Sequence, residues 1–186
     1  MEATAALHET EDDLELLETL GELLNKSMVQ QSASGTPEIS RYVLLEPLRQ
    51  FAEARMDAAE LRQTRDDHGE YFAGYAESVA QFLRGPEQIS WLKDVRADDA
   101  NLVAAITHAV DAGRPDPARR IGAALLWFWL AERQLVEING HLAAALAMEG
   151  GAPVPKAYAL ISHAFAMCTL DPNRSEEALA LVREGS

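Results

Sequence analysis

From Ile121 to Ala131 the chain runs Ile-Gly-Ala-Ala-Leu-Leu-Trp-Phe-Trp-Leu-Ala, with no charged side chain. A helix built from this run is apolar on every side, so neighbouring elements must cover it on every side. It is also far shorter than the roughly 20 residues that span a bilayer. The run therefore requires helices layered on helices. The rest of the sequence agrees: alanine- and leucine-rich stretches with helical periodicity alternate with short Gly, Pro and Asp breaks.

At 186 residues, with 48% hydrophobic and 25% charged residues, the chain has the composition of a globular protein. Its net charge of −14 makes phosphate backbones poor partners. The single cysteine, Cys168, excludes an intrachain disulfide and a multi-cysteine zinc site. Met1–Leu7 is too short an apolar stretch for a signal peptide, and acids follow it. The expectation is a cytoplasmic protein without a membrane segment.

The first periodic segment is Glu11–Lys26. Leu14, Leu17, Leu20 and Leu24 form its stripe, Thr10 and Asp13 a capping box, and Glu11–Asp13 place negative charge at the positive end of the helix dipole. Ser32–Pro37 is a cluster of turn residues, and Arg41–Leu45 has strand composition. The pattern predicts a β-hairpin of Met28–Gln31 with Tyr42–Leu45. A helix follows, with Glu46 as cap and Pro47 in its first turn, reaching to about Gln63. Further helices are expected over Asp66–Leu83, Glu87–Val95, Asp98–Asp111, Asp116–Ala131, Leu135–Met148, Lys156–Met167 and Ser175–Arg183. Ala118–Met148 and Ala157–Val182 read as two stacked helical hairpins. Their period exceeds the roughly 34 residues of a strict tetratricopeptide unit. No polar capping helix follows the second pair, so the expectation is a piece of a longer array or an end covered by another chain.

Several blocks carry a resemblance. Leu23-Leu24-Asn25-Lys26-Ser27-Met28-Val29 and Arg41-Tyr42-Val43-Leu44-Leu45-Glu46-Pro47-Leu48-Arg49-Gln50-Phe51-Ala52 are followed by His68-Gly69-Glu70-Tyr71-Phe72, Trp91-Leu92, Asp99-Ala100-Asn101-Leu102 and Ala123–Trp129. Together, over roughly Leu14 to Met148, they resemble the segment after the nucleotide-binding module in STAND-type ATPase transcriptional regulators, the LuxR-like and AfsR-like proteins of actinobacteria. The resemblance implies a mainly α fold: a partial winged helix with a β-hairpin wing and connecting helix over residues 1–63, then a tetratricopeptide-like helical region over 64–186, truncated at its C-terminus. It implies a relay of effector or partner binding to an output domain. Two departures stand out. No G-x-x-x-x-G-K-[ST] phosphate loop occurs, and Leu45 stands where many relatives carry a nucleotide-contacting histidine.

The site expectations are correspondingly sparse. In the implied recognition helix Glu11, Asp12, Asp13, Glu15, Glu18 and Glu22 face one base, Lys26, which disfavours direct nucleic-acid binding by this segment. His8, His68, His108, His141 and His163 are scattered, so no metal site is expected. Asp66-Asp67-His68 reads as a solvated helix start, and Asp98-Asp99 and Glu176-Glu177 as acids at helix N-termini. Cys168 lacks an oriented base, because His163 lies five residues away on the same helix. Neither a catalytic set nor a cofactor is expected, and the chain is not read as an enzyme. Trp127 and Trp129, roughly 200° apart on a helix, cannot share one environment. They are the candidate partner contacts, together with Arg120 or Arg133. The expected function is a non-catalytic interaction module whose partner is a protein or a nucleotide-binding domain. A self-associating homodimer is the alternative, and an enzyme with an unrecognised site the third reading.

Overall fold

A computed structural model describes residues 13–32 and 41–184. They are mainly helical, with one two-stranded sheet. The chain divides into two compact units, Met1–Tyr71 and Phe72–Ser186. The division falls inside one helix.

The first unit opens on α1 (Asp13–Asn25). The expected capping residue Thr10 lies outside the described residues. Ser27 ends the helix at φ 55°, and the Met28 N–H reaches back to the Leu23 carbonyl at 2.9 Å, a six-residue closure that satisfies an end carbonyl. Strands β1 (Val29–Ser32) and β2 (Arg41–Leu44) pair antiparallel, with Val29 opposite Leu44 and Ser32 opposite Arg41. The hairpin is present, with each strand one residue displaced from expectation. Its tip lies outside the described residues. β1 packs on α1.

Leu45, not Glu46, is the N-cap of α2 (Glu46–Glu53). Glu46 sits in the first turn and accepts hydrogen bonds from Arg49 at 2.9 and 2.6 Å. The helix does not reach Gln63. It stops at Glu53, and α3 (Ala58–Ala80) starts five residues later. The reason is a capping box that the apolar stripe concealed. The Asp57 carboxylate accepts from the Ala59 and Glu60 N–H groups at 2.7 and 2.9 Å, while Glu60 accepts from the Asp57 N–H at 2.9 Å. These backbone donors hold the Asp57 carboxyl below its ordinary range. Starting that early, α3 carries Asp66, Asp67 and His68 in its half-buried interior, not at a solvated helix start.

In the second unit a 3₁₀ turn (Phe82–Arg84) ends the α3 path, and α4 (Gln88–Ala97) and α5 (Asp99–Asp111) follow. Gly113, at φ 69°, closes α5, with the Arg114 N–H on the Ala109 carbonyl at 2.8 Å. The apolar helix expected to Ala131 is two pieces, α6 (Pro115–Ala124) and α7 (Leu126–Ala131). The backbone turns out of helical geometry at Leu125, φ −99° and ψ 20°. The break leaves Leu125, Phe128 and Trp129 buried while Leu126, Trp127 and Leu130 stay half-buried. α8 (Leu135–Ala147), α9 (Pro153–Leu170) and α10 (Ser175–Glu184) complete the unit. α9 is longer at both ends than the expected Lys156–Met167, and at its start Pro153 and Pro155 fit the first turn.

α6 packs against α5, α8 and α9; α9 packs against α6, α8 and α10. The core of this unit is Leu83, Val95, Leu102, Ile106, Ile121, Leu125, Phe128, Trp129, Ile138 and Leu142. Close approach of α6 and α8 depends on Gly122, where a Cβ would lie 2.7 Å from Leu142 Cδ2.

Candidate functional site

Arg119 organises the turn between α8 and α9. Its side chain is fully buried, yet every donor nitrogen is used. Nε and Nη2 donate to the Ala145 carbonyl at 3.1 and 2.9 Å, Nη2 to Met148 O at 2.9 Å, and Nη1 to Gly150 O at 2.8 Å. The last turn of α8 leaves carbonyls without helical partners, and the guanidinium supplies fixed donors to them. Burial pulls the Arg119 pKa down from its ordinary value, and Asp116, 3.7 Å away, opposes that shift. Asp116 in turn accepts from the Ala152 N–H at 2.9 and 3.0 Å, at the N-cap of α9. Gly151, at φ 84°, is pressed against this pair: a Cβ there would sit 2.3 Å from Asp116 Oδ1. The sequence carried no signal for this clamp beyond the glycine pair, because the contacts join positions some thirty residues apart.

α9, held in this way, presents the surface on which the expected partner contacts can be placed. Trp127 of α7 is half-buried, and its ring lies 5.7 Å, centroid to centroid, from Phe165 of α9. The Arg84 guanidinium sits over the same indole, 5.6 Å from its centroid, an arrangement worth about 0.5–1 kcal/mol at an exposed site. Trp129 is fully buried, packed edge-on against Phe128 at 4.9 Å. Its indole nitrogen has no hydrogen-bond partner among the described residues. The two tryptophans thus occupy different environments, as their angular separation requires.

The two expected cations are elsewhere engaged or displaced. Arg120 donates to Glu77 of α3 at 2.9 and 2.7 Å. Arg133 lies at the end of α7 with φ 62°, where it forms the turn that lets the Gln134 N–H reach the Trp129 carbonyl at 3.0 Å. The cation on Trp127 is Arg84, 43 residues away in sequence. The pair meets because α7 packs on the 3₁₀ turn.

The remaining ionisable groups are dispersed. His163 Nδ1 lies 2.6 Å from Asn139 Oδ1. Burial, then the nearby Arg174 charge, lower its pKa, with Glu177 opposing. Cys168 is half-buried beside Ala164, Met167 and Ala178. Asp99 Oδ2 accepts from Gln134 Nε2 at 2.9 Å, and Glu177 pairs with Arg174 at 2.7 Å, so the acids at these two helix starts have partners. Lys26, one residue past the end of α1, donates to Glu22 at 2.7 Å. Among the described residues no three His, Cys, Asp or Glu side chains gather as a metal site, and no helix is long and apolar enough to cross a membrane.

No family model matches the chain, and neither the curated proteins nor the solved structures give a significant match.

Proposed function

We propose that this chain is a non-catalytic interaction and regulatory module related to STAND-type transcriptional regulators. In this reading α1, the hairpin and α2 correspond to the wing end of a winged helix, and the helices from α5 onward to a tetratricopeptide-like array. It works in the cytoplasm through a protein partner or a nucleotide-binding domain, not through DNA, and needs no cofactor of its own. The order helix, hairpin, helix and the packing of α6 on both α8 and α9 support the architecture.

The observation that carries the reading is the solvent face of α9. Val154, Tyr158 and Ile161 are 62%, 64% and 57% exposed, in a helix whose only Lys, Arg, Asp or Glu is Lys156. Exposed apolar surface of this continuity marks an interaction site. A photo-crosslinking amino acid at Ile161, in the cell that makes the protein, is expected to capture a protein, and Tyr158→Asp to abolish the adduct. Turnover of a metabolite by the purified chain, or tight ATP binding, would overturn the reading.

A homodimer is the second reading. Leu17, Val43, Leu44 and Phe51 are 40–55% exposed, and a second copy would cover them. Light scattering decides: a monomer across the accessible concentration range excludes it.

A further inference from the structure

Between the end of α3 and the start of α4 the chain turns around a small open cleft. Its volume is about 290 Å³, and Gln81, Phe82, Gly85, Pro86 and Glu87 line it. All five belong to the second unit. Trp91 stacks on Phe82, with ring centroids 4.6 Å apart and planes 11° from parallel. One face of the Phe82 ring is thereby covered, while the residue keeps 36% exposure. Trp91 Nε1 donates to Glu87 at 3.4 Å, which holds the carboxylate beside the stacked pair. Among the described residues no Lys, Arg or His pairs with Glu87. Arg84, three residues before it, is engaged by the Trp127 ring at 5.6 Å. Gln81 Nε2 donates to the Ser78 carbonyl at 3.3 Å, and its amide oxygen is left to accept. The cleft therefore offers two acceptors, one of them charged, beside apolar ring surface, and none of its lining residues is a cation.

We infer that this cleft binds a small aliphatic primary amine in its protonated form. Such a ligand lies outside the interaction reading above, which names no small molecule. An alkylammonium group carries three donors and one positive charge. Glu87 supplies the counter-charge and one acceptor, and the Gln81 amide oxygen supplies the second. The methylene stem lies on the open part of Phe82 and on the Pro86 ring. The positive end of the α4 dipole opposes a cation here, but it amounts to about half a charge and the full charge of Glu87 outweighs it. An anion would meet Glu87 with like charge, and a neutral ligand would leave that charge uncompensated. A divalent metal ion takes about six or more oxygen ligands, and among the described residues no three His, Cys, Asp or Glu side chains gather. The volume lies at the lower bound of small-molecule sites, roughly 300–1,000 Å³, which suits one short chain. The net charge of −14 adds long-range attraction for cations.

The test is a titration of the ¹⁵N-labelled full chain with cadaverine at about 0.15 M salt, which screens general attraction to an acidic surface. The Trp91 indole N–H signal, assigned by its loss in Trp91→Phe, reports on Glu87 directly. It is expected to shift saturably, in the millimolar range, together with backbone signals of residues 81–91. Tetramethylammonium, which has no N–H, and 1-pentanol, which has no charge, are expected to leave it in place. Glu87→Gln is expected to weaken binding about tenfold or more. Glu176→Gln removes the same charge elsewhere and is expected to change nothing. Phe82→Leu is expected to cost about threefold. Glu87 and Phe82 are exposed, and circular dichroism checks that their variants keep their helicity. The absence of a saturable shift, an equal shift with either control compound, or an equal loss from Glu176→Gln overturns the proposal. Binding of Nα-acetyl-lysine amide more than about tenfold tighter than cadaverine would give the cleft to a protein's lysine side chain and overturn the free-amine assignment. If adducts at Ile161 form while cadaverine fails, the interaction reading stands and this site alone falls.

Discussion

Among the described residues up to Tyr71, Val29 is the one apolar side chain that is buried, whereas Phe72–Ser186 hides Leu83, Leu102, Ile106, Ile121, Leu125, Phe128, Trp129, Ile138, Leu142 and Met167 with almost no exposure. Both regions have clear secondary structure and well-formed helix ends. Stability in a small domain comes chiefly from apolar area removed from water, about 25 cal/mol per Å². Helical propensity contributes little by itself, and short isolated helices are marginal in water. The second region therefore carries most of the buried apolar area, and the first leaves Leu17, Val43, Leu44 and Phe51 largely exposed. Regular local structure is no guide to where the free energy of folding resides.

The comparison is most sharply tested at Arg119. Replacing it by Met leaves the Ala145, Met148 and Gly150 carbonyls without their donor in a buried site. We expect a loss of about 3 kcal/mol or more in the urea unfolding of the second region. A loss below 1 kcal/mol would mean that the α8–α9 turn does not depend on the clamp. Gly122→Ala comes next. Its Cβ would press on Leu142 Cδ2, and overpacking of this kind costs about 1–3 kcal/mol. Equal stability of variant and wild type would show that α6 and α8 separate freely.

A pH dependence should follow from His163. Its folded pKa is lowered by burial and by Arg174, so the unfolded chain takes up the proton first. The stability this gives is complete above about pH 6.5, the ordinary histidine value, and is lost as pH falls through the lower folded value. Unfolding midpoints measured from pH 7.5 to 5 should fall in the wild type and fall less in His163→Gln. An identical slope in the two would remove His163 as the cause.

Arg133→Gly should raise stability by about 0.5–1 kcal/mol, since a residue at φ 62° bears a left-handed strain that glycine avoids. Calorimetry of the pair measures it, and a lower midpoint in the glycine variant would contradict the argument. The smallest effect is expected in the first region. Phe51 is 55% exposed, so Phe51→Ala should change the stability of the isolated chain by no more than about 0.5 kcal/mol. A loss above 2 kcal/mol would show that its face is covered in solution, and would erase the contrast between the two regions.

The helical class, the hairpin, the Gly113 and Gly150-Gly151 breaks and the acids at the starts of α5 and α10 were legible in the sequence, because each rests on interactions within a few residues. The Asp57–Glu60 capping box lies beneath a continuing apolar stripe that masks the helix break, and the uncharged run through Leu125 bends where its neighbours pack, which periodicity does not report. The spacing also separated Trp127 from Trp129. It did not choose which would be hidden, and it named Arg120 and Arg133 as cations where Arg84 is the one on the ring.

What the sequence by itself determined is periodicity: which side chains share a helix face, where a helix must stop, and that an uncharged stretch such as Ile121–Ala131 needs neighbours. What only the tertiary structure decided is which faces meet. Arg119 finds its carbonyls, Arg84 its indole, and the line from Val154 to Phe165 stays in water because helices distant in sequence pack at particular angles and distances. Those angles set how much apolar area the whole array removes from water, a quantity summed over all its helices that no single segment encodes.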